Sequence, residues 1–143
     1  MHILMCNDDG ILADGLRHLA SYLSQYYRIT VVAPANEQSA KSHALTTEVP
    51  LKLDAYNGED ENPRLYALTG TPSDCMKFGL SYLFTDDMPD LVISGINHGF
   101  NLGSDVLYSG TVSAAMESCF YGIPGLALSV ERYSPERGDE MHT

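Results

Sequence analysis

The first 34 residues constrain the fold more than any other part of the chain. A short apolar run, an amphipathic stretch and a β-branched apolar run follow one another there without a break. Residues 2–7 predict a buried strand. Leu12, Leu16, Leu19, Ala20, Leu23 and Tyr27 recur at spacings of three and four, which predicts an amphipathic helix from Leu12 to Tyr27. "RITVVAP" predicts a second strand, closed by Pro34. Strand, helix and strand in that order make a βαβ unit, whose default hand is right. At 143 residues the chain is long enough for one domain with a real core and too short for two comfortable ones.

The pattern continues downstream. Residues 35–44 are polar and loop-like, and 45–70 predict a hairpin or short-strand excursion around the acidic turn "NGEDEN". Thr71 is placed to cap a helix, with Pro72 in its first turn and Asp74 three residues after the cap. That helix continues through "CMKFGLSYLF". "DLVISG" predicts a third core strand, followed by a Gly/Asn-rich loop, a small-residue helix "TVSAAMESCFYG" and a fourth apolar strand "PGLALSV". Residues 131–143 are polar and carry no core signal, so the predicted domain spans 1–130. Alternating helices and buried strands make an α/β protein, and open parallel sheets bind ligands at the carboxyl ends of their strands. The unusual polar clusters fall there: Asp8 and Asp9 after the first strand, Ser39 and Ser42 after the second, Asn97 and Asn101 after "LVISG".

Charge and composition narrow the function. A formal net charge of −11 repels polyanions, which argues against a nucleic-acid polymer as partner but leaves room for small phosphorylated molecules. No apolar run approaches the ~20 residues of a membrane helix, and the N-terminus has no signal-peptide pattern. Cys6, Cys75 and Cys119 form no C-x-x-C pair, which suits reduced thiols. The expected location is the cytoplasm.

The adjacent carboxylates of "CNDDGI" are the first chemical clue. Two close anions raise each other's pKa unless a cation lies between them. Gly10 allows the chain to leave strand geometry so that both can face one ion, and hard oxygen ligands favour Mg²⁺, Mn²⁺ or Ca²⁺ over zinc. The structural alternative is a helix-capping Asp beside a solvated one. "NEQSAKSH" offers loop hydroxyls as metal or phosphate ligands, or only a Ser-rich turn; His43 has no second histidine at metal-site spacing. Gly95, Gly99 and Gly103 match neither a dinucleotide fingerprint nor a P-loop, yet Asn97 and Asn101 between them can serve a metal and a substrate. Ser109-Gly110-Thr111 precede a helix whose unpaired first-turn N–H groups suit a phosphate, although either hydroxyl could act simply as a cap. A haloacid-dehalogenase-like phosphatase needs aspartates two apart, whereas these are adjacent.

Together "NDDG", "VVAPANEQSAKSHALT", "GTPSDCMKFG", "DLVISGINHGFNLGSDVLYSGTVSAAME" and "GIPGLALS" resemble, in order, the SurE family of stationary-phase survival proteins over about residues 1–130. The resemblance implies a Rossmann-like, three-layer αβα domain with a mostly parallel sheet. It implies a metal-dependent 5′-nucleotidase, an acid-phosphatase-like hydrolase of nucleoside 5′- and 3′-monophosphates. One divalent ion per subunit, Mg²⁺ or Mn²⁺ with Ca²⁺ as a crystal substitute, would be held by Asp8, Asp9, Ser39 and Asn97. Asn7, Ser42, Asn101, Ser109, Gly110 and Thr111 would line the phosphate site, with Asp8 or Asp9 as the base. Family members carry glycine where this chain has Ala40, and they run longer. Their later segment contributes to homodimers or homotetramers, so residues 131–143 read as a tail or as the start of that segment. The competing reading is a truncated, non-catalytic nucleotide- or phosphate-binding domain with apolar surface left exposed.

Overall fold

In the computed structural model, residues 1–37 and 48–131 are described. Ser39, Lys41, Ser42 and His43 lie outside them, as does the tail from residue 132. The elements are β1 (His2–Cys6), α1 (Asp14–Leu23), β2 (Arg28–Pro34), β3 (Leu53–Ala55), β4 (Arg64–Leu68), α2 (Pro72–Phe78), β5 (Leu91–His98), α3 (Gly110–Cys119) and β6 (Gly125–Val130). A wider π-type turn, Gly79–Leu83, prolongs α2, and a 3₁₀ segment, Gly103–Tyr108, leads to α3.

One six-stranded sheet runs β3-β4-β2-β1-β5-β6. Every pairing is parallel except that of β3 with β4. Side chains alternate between its faces. Leu4, Cys6, Val32 and Leu68 pack under α2 and α3 with Cys75, Met76 and Ala114. Ile3, Met5, Ile29, Val31 and Ile93 pack against Leu16 and Ala20 of α1. Helices on both faces of a sheet with buried central strands form the expected three-layer α/β fold. From β1 the chain steps outward through β2 to β4, then crosses back to place β5 on the other side of β1. The order therefore reverses between β1 and β5, and the ligand crevice of such a sheet opens outside the carboxyl ends of those two strands.

Several expectations shift. The first strand stops at Cys6, because the Asn7 side chain turns back on the next loop. The first helix begins at Asp14 and ends at Leu23; Ile11 takes the buried place assigned to Leu12, which is exposed, and Tyr27 is exposed as well. The excursion at 45–70 does contain an antiparallel pair, but β4 is also a parallel partner of β2 and so belongs to the main sheet. "PGLALSV" forms an edge strand and not a buried one: Leu126 is 45% and Val130 42% exposed.

The cap of α2 follows the sequence reading. The Thr71 hydroxyl accepts from the Asp74 N–H at 3.2 Å, and Asp74 Oδ2 accepts from the Thr71 N–H at 2.8 Å. Both residues are buried, so no water replaces these bonds easily. Thr71→Ala is expected to destabilise the chain by about 1–2 kcal/mol, read as a lower urea midpoint with an unchanged slope; an unaltered midpoint would show that the cap contributes nothing.

Candidate active site

The loop leaving β1 is built by its own residues. Asn7 is fully buried; its Nδ2 donates to the Gly10 carbonyl at 2.9 Å and its Oδ1 accepts from the Gly10 N–H at 3.1 Å. This clamp folds Asp8 and Asp9 into a tight turn. Gly10 sits at φ +103°, a conformation that any other residue adopts only under strain. The Ile11 N–H then donates to the Pro34 carbonyl at 2.8 Å, tying the turn to the end of β2. Asn7, which the resemblance assigns to the substrate site, uses its amide here to shape the loop.

Asp8 is 6% exposed and reaches across to α3. Its Oδ1 accepts from the wholly buried Thr111 hydroxyl at 2.9 Å. Gly110 makes the approach possible: a Cβ there would lie 2.8 Å from Asp8 Cβ and 3.3 Å from Asp8 Oδ2. Ser109 caps the helix, accepting from the Val112 N–H at 3.2 Å, and its carbonyl accepts from the Ser113 hydroxyl at 2.8 Å. Helix geometry leaves the N–H groups of the first turn without intrahelical partners, and they carry partial positive charge beside the carboxylate. Thr111, assigned to phosphate from the sequence, gives its hydroxyl to Asp8 and retains its backbone N–H as a donor.

Asn97 arrives from the neighbouring strand. Cys6 pairs with Ser94 in register, so the residues just after Cys6 and those just after Ser94 emerge side by side. The register between β5 and β6 shifts between Ser94 and Asn97, and such an irregularity re-aims the side chains after it. Asn97 Nδ2 donates to the Gly99 carbonyl at 2.8 Å, leaving the amide oxygen as the end available to a ligand. Asn101 is tied to β6, its Nδ2 donating to Ser129 Oγ at 2.8 Å. The structure therefore brings Asp8 against Gly110 and Thr111, with Asp9 and Ser109 next to them in the chain, and Asn97 leaves the adjacent strand β5.

The donor set suits a hard divalent cation. Asp8 is buried, and among the described residues no Lys, Arg or His side chain lies within ion-pair distance of it. Two carboxylates and an amide oxygen at adjacent strand ends are oxygen ligands of the kind Mg²⁺ and Mn²⁺ accept. Among the described residues there is no group of three His, Cys, Asp or Glu that could hold a metal ion. The sequence carried no signal for the contact between Gly110 and Asp8, which are 102 positions apart and meet only through the topology.

The chain is similar to known proteins. The family model "Survival protein SurE" matches residues 3–143. A protein named 5′-nucleotidase SurE from Thermoanaerobacter sp. (strain X514) is 54% identical over 129 residues, covering 90% of this chain and 50% of that protein. Its namesake from Clostridium botulinum (strain Alaska E43 / Type E3) is 47% identical over 143 residues, covering 100% of this chain and 56% of the relative. The crystal structure of the SurE protein from Aquifex aeolicus superposes with a TM-score of 0.81 at 40% identity, covering 94% of this chain and 53% of that one. The chain spans about half the length of the curated relatives it matches. It belongs to the SurE family.

Proposed function

We propose that this chain carries the catalytic half of a divalent-metal-dependent phosphomonoesterase that converts nucleoside 5′-monophosphates, and 3′-monophosphates, to nucleoside and phosphate. The names of its relatives support the reaction class. The observation that carries the reading is the junction of Asp8 with the N-terminus of α3. Backbone N–H groups at a helix start attract a phosphate, yet two carboxylates beside them repel it. A cation resolves that conflict.

A divalent ion held by Asp8, Asp9, Asn97 and Ser39 would neutralise that charge and polarise the phosphoryl oxygens. The chain's own groups do the rest. The Gly110 and Thr111 N–H groups and the Ser109 hydroxyl bind the equatorial oxygens as charge shifts onto them. Asp8 or Asp9 accepts a proton from the water that attacks phosphorus in line. The bond from phosphorus to the ester oxygen breaks, and that oxygen leaves with a proton as the nucleoside hydroxyl. Thr111 holds Asp8 in place, and Asn7 and Gly10 hold the loop. Ser42 and Asn101 complete the substrate side of this reading. The unit is residues 1–130, working in the cytoplasm, with assembly into dimers or tetramers depending on the longer family segment.

The test is phosphate release from a panel of nucleoside monophosphates with Mg²⁺, Mn²⁺ or EDTA. Turnover should need metal and fall at least about a hundredfold in Asp9→Asn. A folded, monodisperse chain that binds nucleotide but never turns over would favour the binding-domain reading.

Gly110→Ala tests the close approach directly. Its methyl group must displace Asp8 by several tenths of an ångström or more. Misplacement of a reacting group on the ångström scale costs about a hundredfold, so kcat should drop tenfold or more while the circular dichroism spectrum is retained. An unchanged kcat would separate Asp8 from the chemistry.

A further inference from the structure

The opposite end of the sheet holds a cleft that the reaction does not use. It has a volume of about 190 Å³ and lies at the amino-terminal ends of β1, β2 and β4. His2, Arg28 and Arg64 share it, and the register explains why. His2 pairs with Arg28 and Thr30 with Arg64 across adjacent parallel strands. All four occupy positions of the alternation that, further along, place Leu4, Val32 and Leu68 under α2. There the face is covered; here the π-type turn has ended, and Phe84 closes the back of the cleft. Six residues at ~3.3 Å each separate His2 from Asp8, so the cleft is about 20 Å from the crevice.

Its polar groups converge. The buried Thr30 hydroxyl and His2 Nε2 share a hydrogen bond of 2.9 Å, and the His2 ring lies 4.6 Å from that of Phe84. The half-buried Arg64 is steadied by a hydrogen bond from its guanidinium to the Glu59 carbonyl. Among the described residues neither Arg28 nor Arg64 is within ion-pair distance of a carboxylate. This is notable in a chain with 8 Lys and Arg against 19 Asp and Glu. Burial and, after it, the Arg28 charge hold His2 below its usual pKa, against the opposing pull of Asp87 and Asp90. Asp86 and Asp87 also line the cleft and stand exposed at its mouth.

We propose that this cleft is a second, non-catalytic anion site that takes a single phosphate group, either inorganic phosphate or a compact phosphomonoester. Two guanidinium forks and a hydroxyl offer more donors than one carboxylate can accept, and a tetrahedral oxyanion uses them. The volume is too small for a whole nucleotide, since sites for ligands of that size usually run to several hundred Å³. The carboxylates at the mouth discourage polyanions. The inference does not depend on the phosphatase reading.

Inorganic phosphate is the probe, titrated into the full chain in EDTA by calorimetry and by NMR of the His2 ring. One saturable site is expected, with the His2 pKa moving upward as the anion offsets the arginine charges. Binding should persist in Asp8→Asn and weaken at least tenfold in Arg28→Gln and in Arg64→Gln. Arg28 is exposed, so its variant keeps the test open should Arg64→Gln fail to fold. Absence of saturable binding, an unmoved His2 resonance, or affinity lost in Asp8→Asn but retained in Arg28→Gln would each overturn the proposal.

Discussion

The hydrogen bond from Thr111 to Asp8 joins the two halves of the fold at the point where its strand order reverses. Asp8 leaves β1 and Thr111 opens α3, so the contact fixes the end of the central strand against the start of the helix that leads to β6. It requires Gly110 to carry no side chain and Asn7 to hold the turn from below. Each of these residues is small or buried, and each is used up by geometry. The backbone of the helix start lies beside the Asp8 carboxylate that this contact holds.

That division of labour gives the site its electrostatic character. A carboxylate at a helix N-terminus is stabilised by the helix dipole, which helps Asp8 tolerate burial with no Lys or Arg beside it among the described residues. The same dipole attracts a phosphate. Carboxylate and phosphate share one helix end only if a cation stands between them, so the acidic pair and the helix start make chemical sense together and much less sense apart. The chain-wide negative charge does not oppose this, because fixed N–H donors a few ångströms away outweigh a diffuse surface field screened over about 8–10 Å.

Much of the fold was legible because its signals are local. The β1–α1–β2 unit, the capping box at Thr71 and the small-residue helix behind Ser109 depend on residues within a few positions of one another, and the structure retains each. The double role of β4 was not legible: "RLYAL" reads the same whether it pairs with β3 alone or also enters the sheet beside β2. The exposure of β6 was hidden for a related reason. An apolar run records what a strand can bury against and not whether its neighbour is present, and β6 has β5 on one side and no strand on the other among the described residues. The site shows the same limit. Asp8, Asp9 and Asn97 could be picked out as polar groups at strand ends, but Thr111 acting on Asp8 and Asn7 acting on Gly10 depend on orientations that spacing does not encode.

The exposed edge and the buried crevice place different demands on one strand pair. β5 supplies Asn97 to the crevice on one side and pairs with β6 on the other, and Asn101 is anchored to Ser129 of β6. Leu126 and Val130 flank that anchor and are exposed, as is Phe120 at the end of α3. A strand held along one edge only opens more readily than a central one, so the geometry of the Asn97–Asn101 loop depends on how firmly β6 is kept in register. By contrast, Asp8 and Thr111 sit between β1, buried from Ile3 to Cys6, and a helix packed on the core. The carboxylate side is therefore the more firmly held one, and the position of the asparagine side depends on the pairing of β6 with β5.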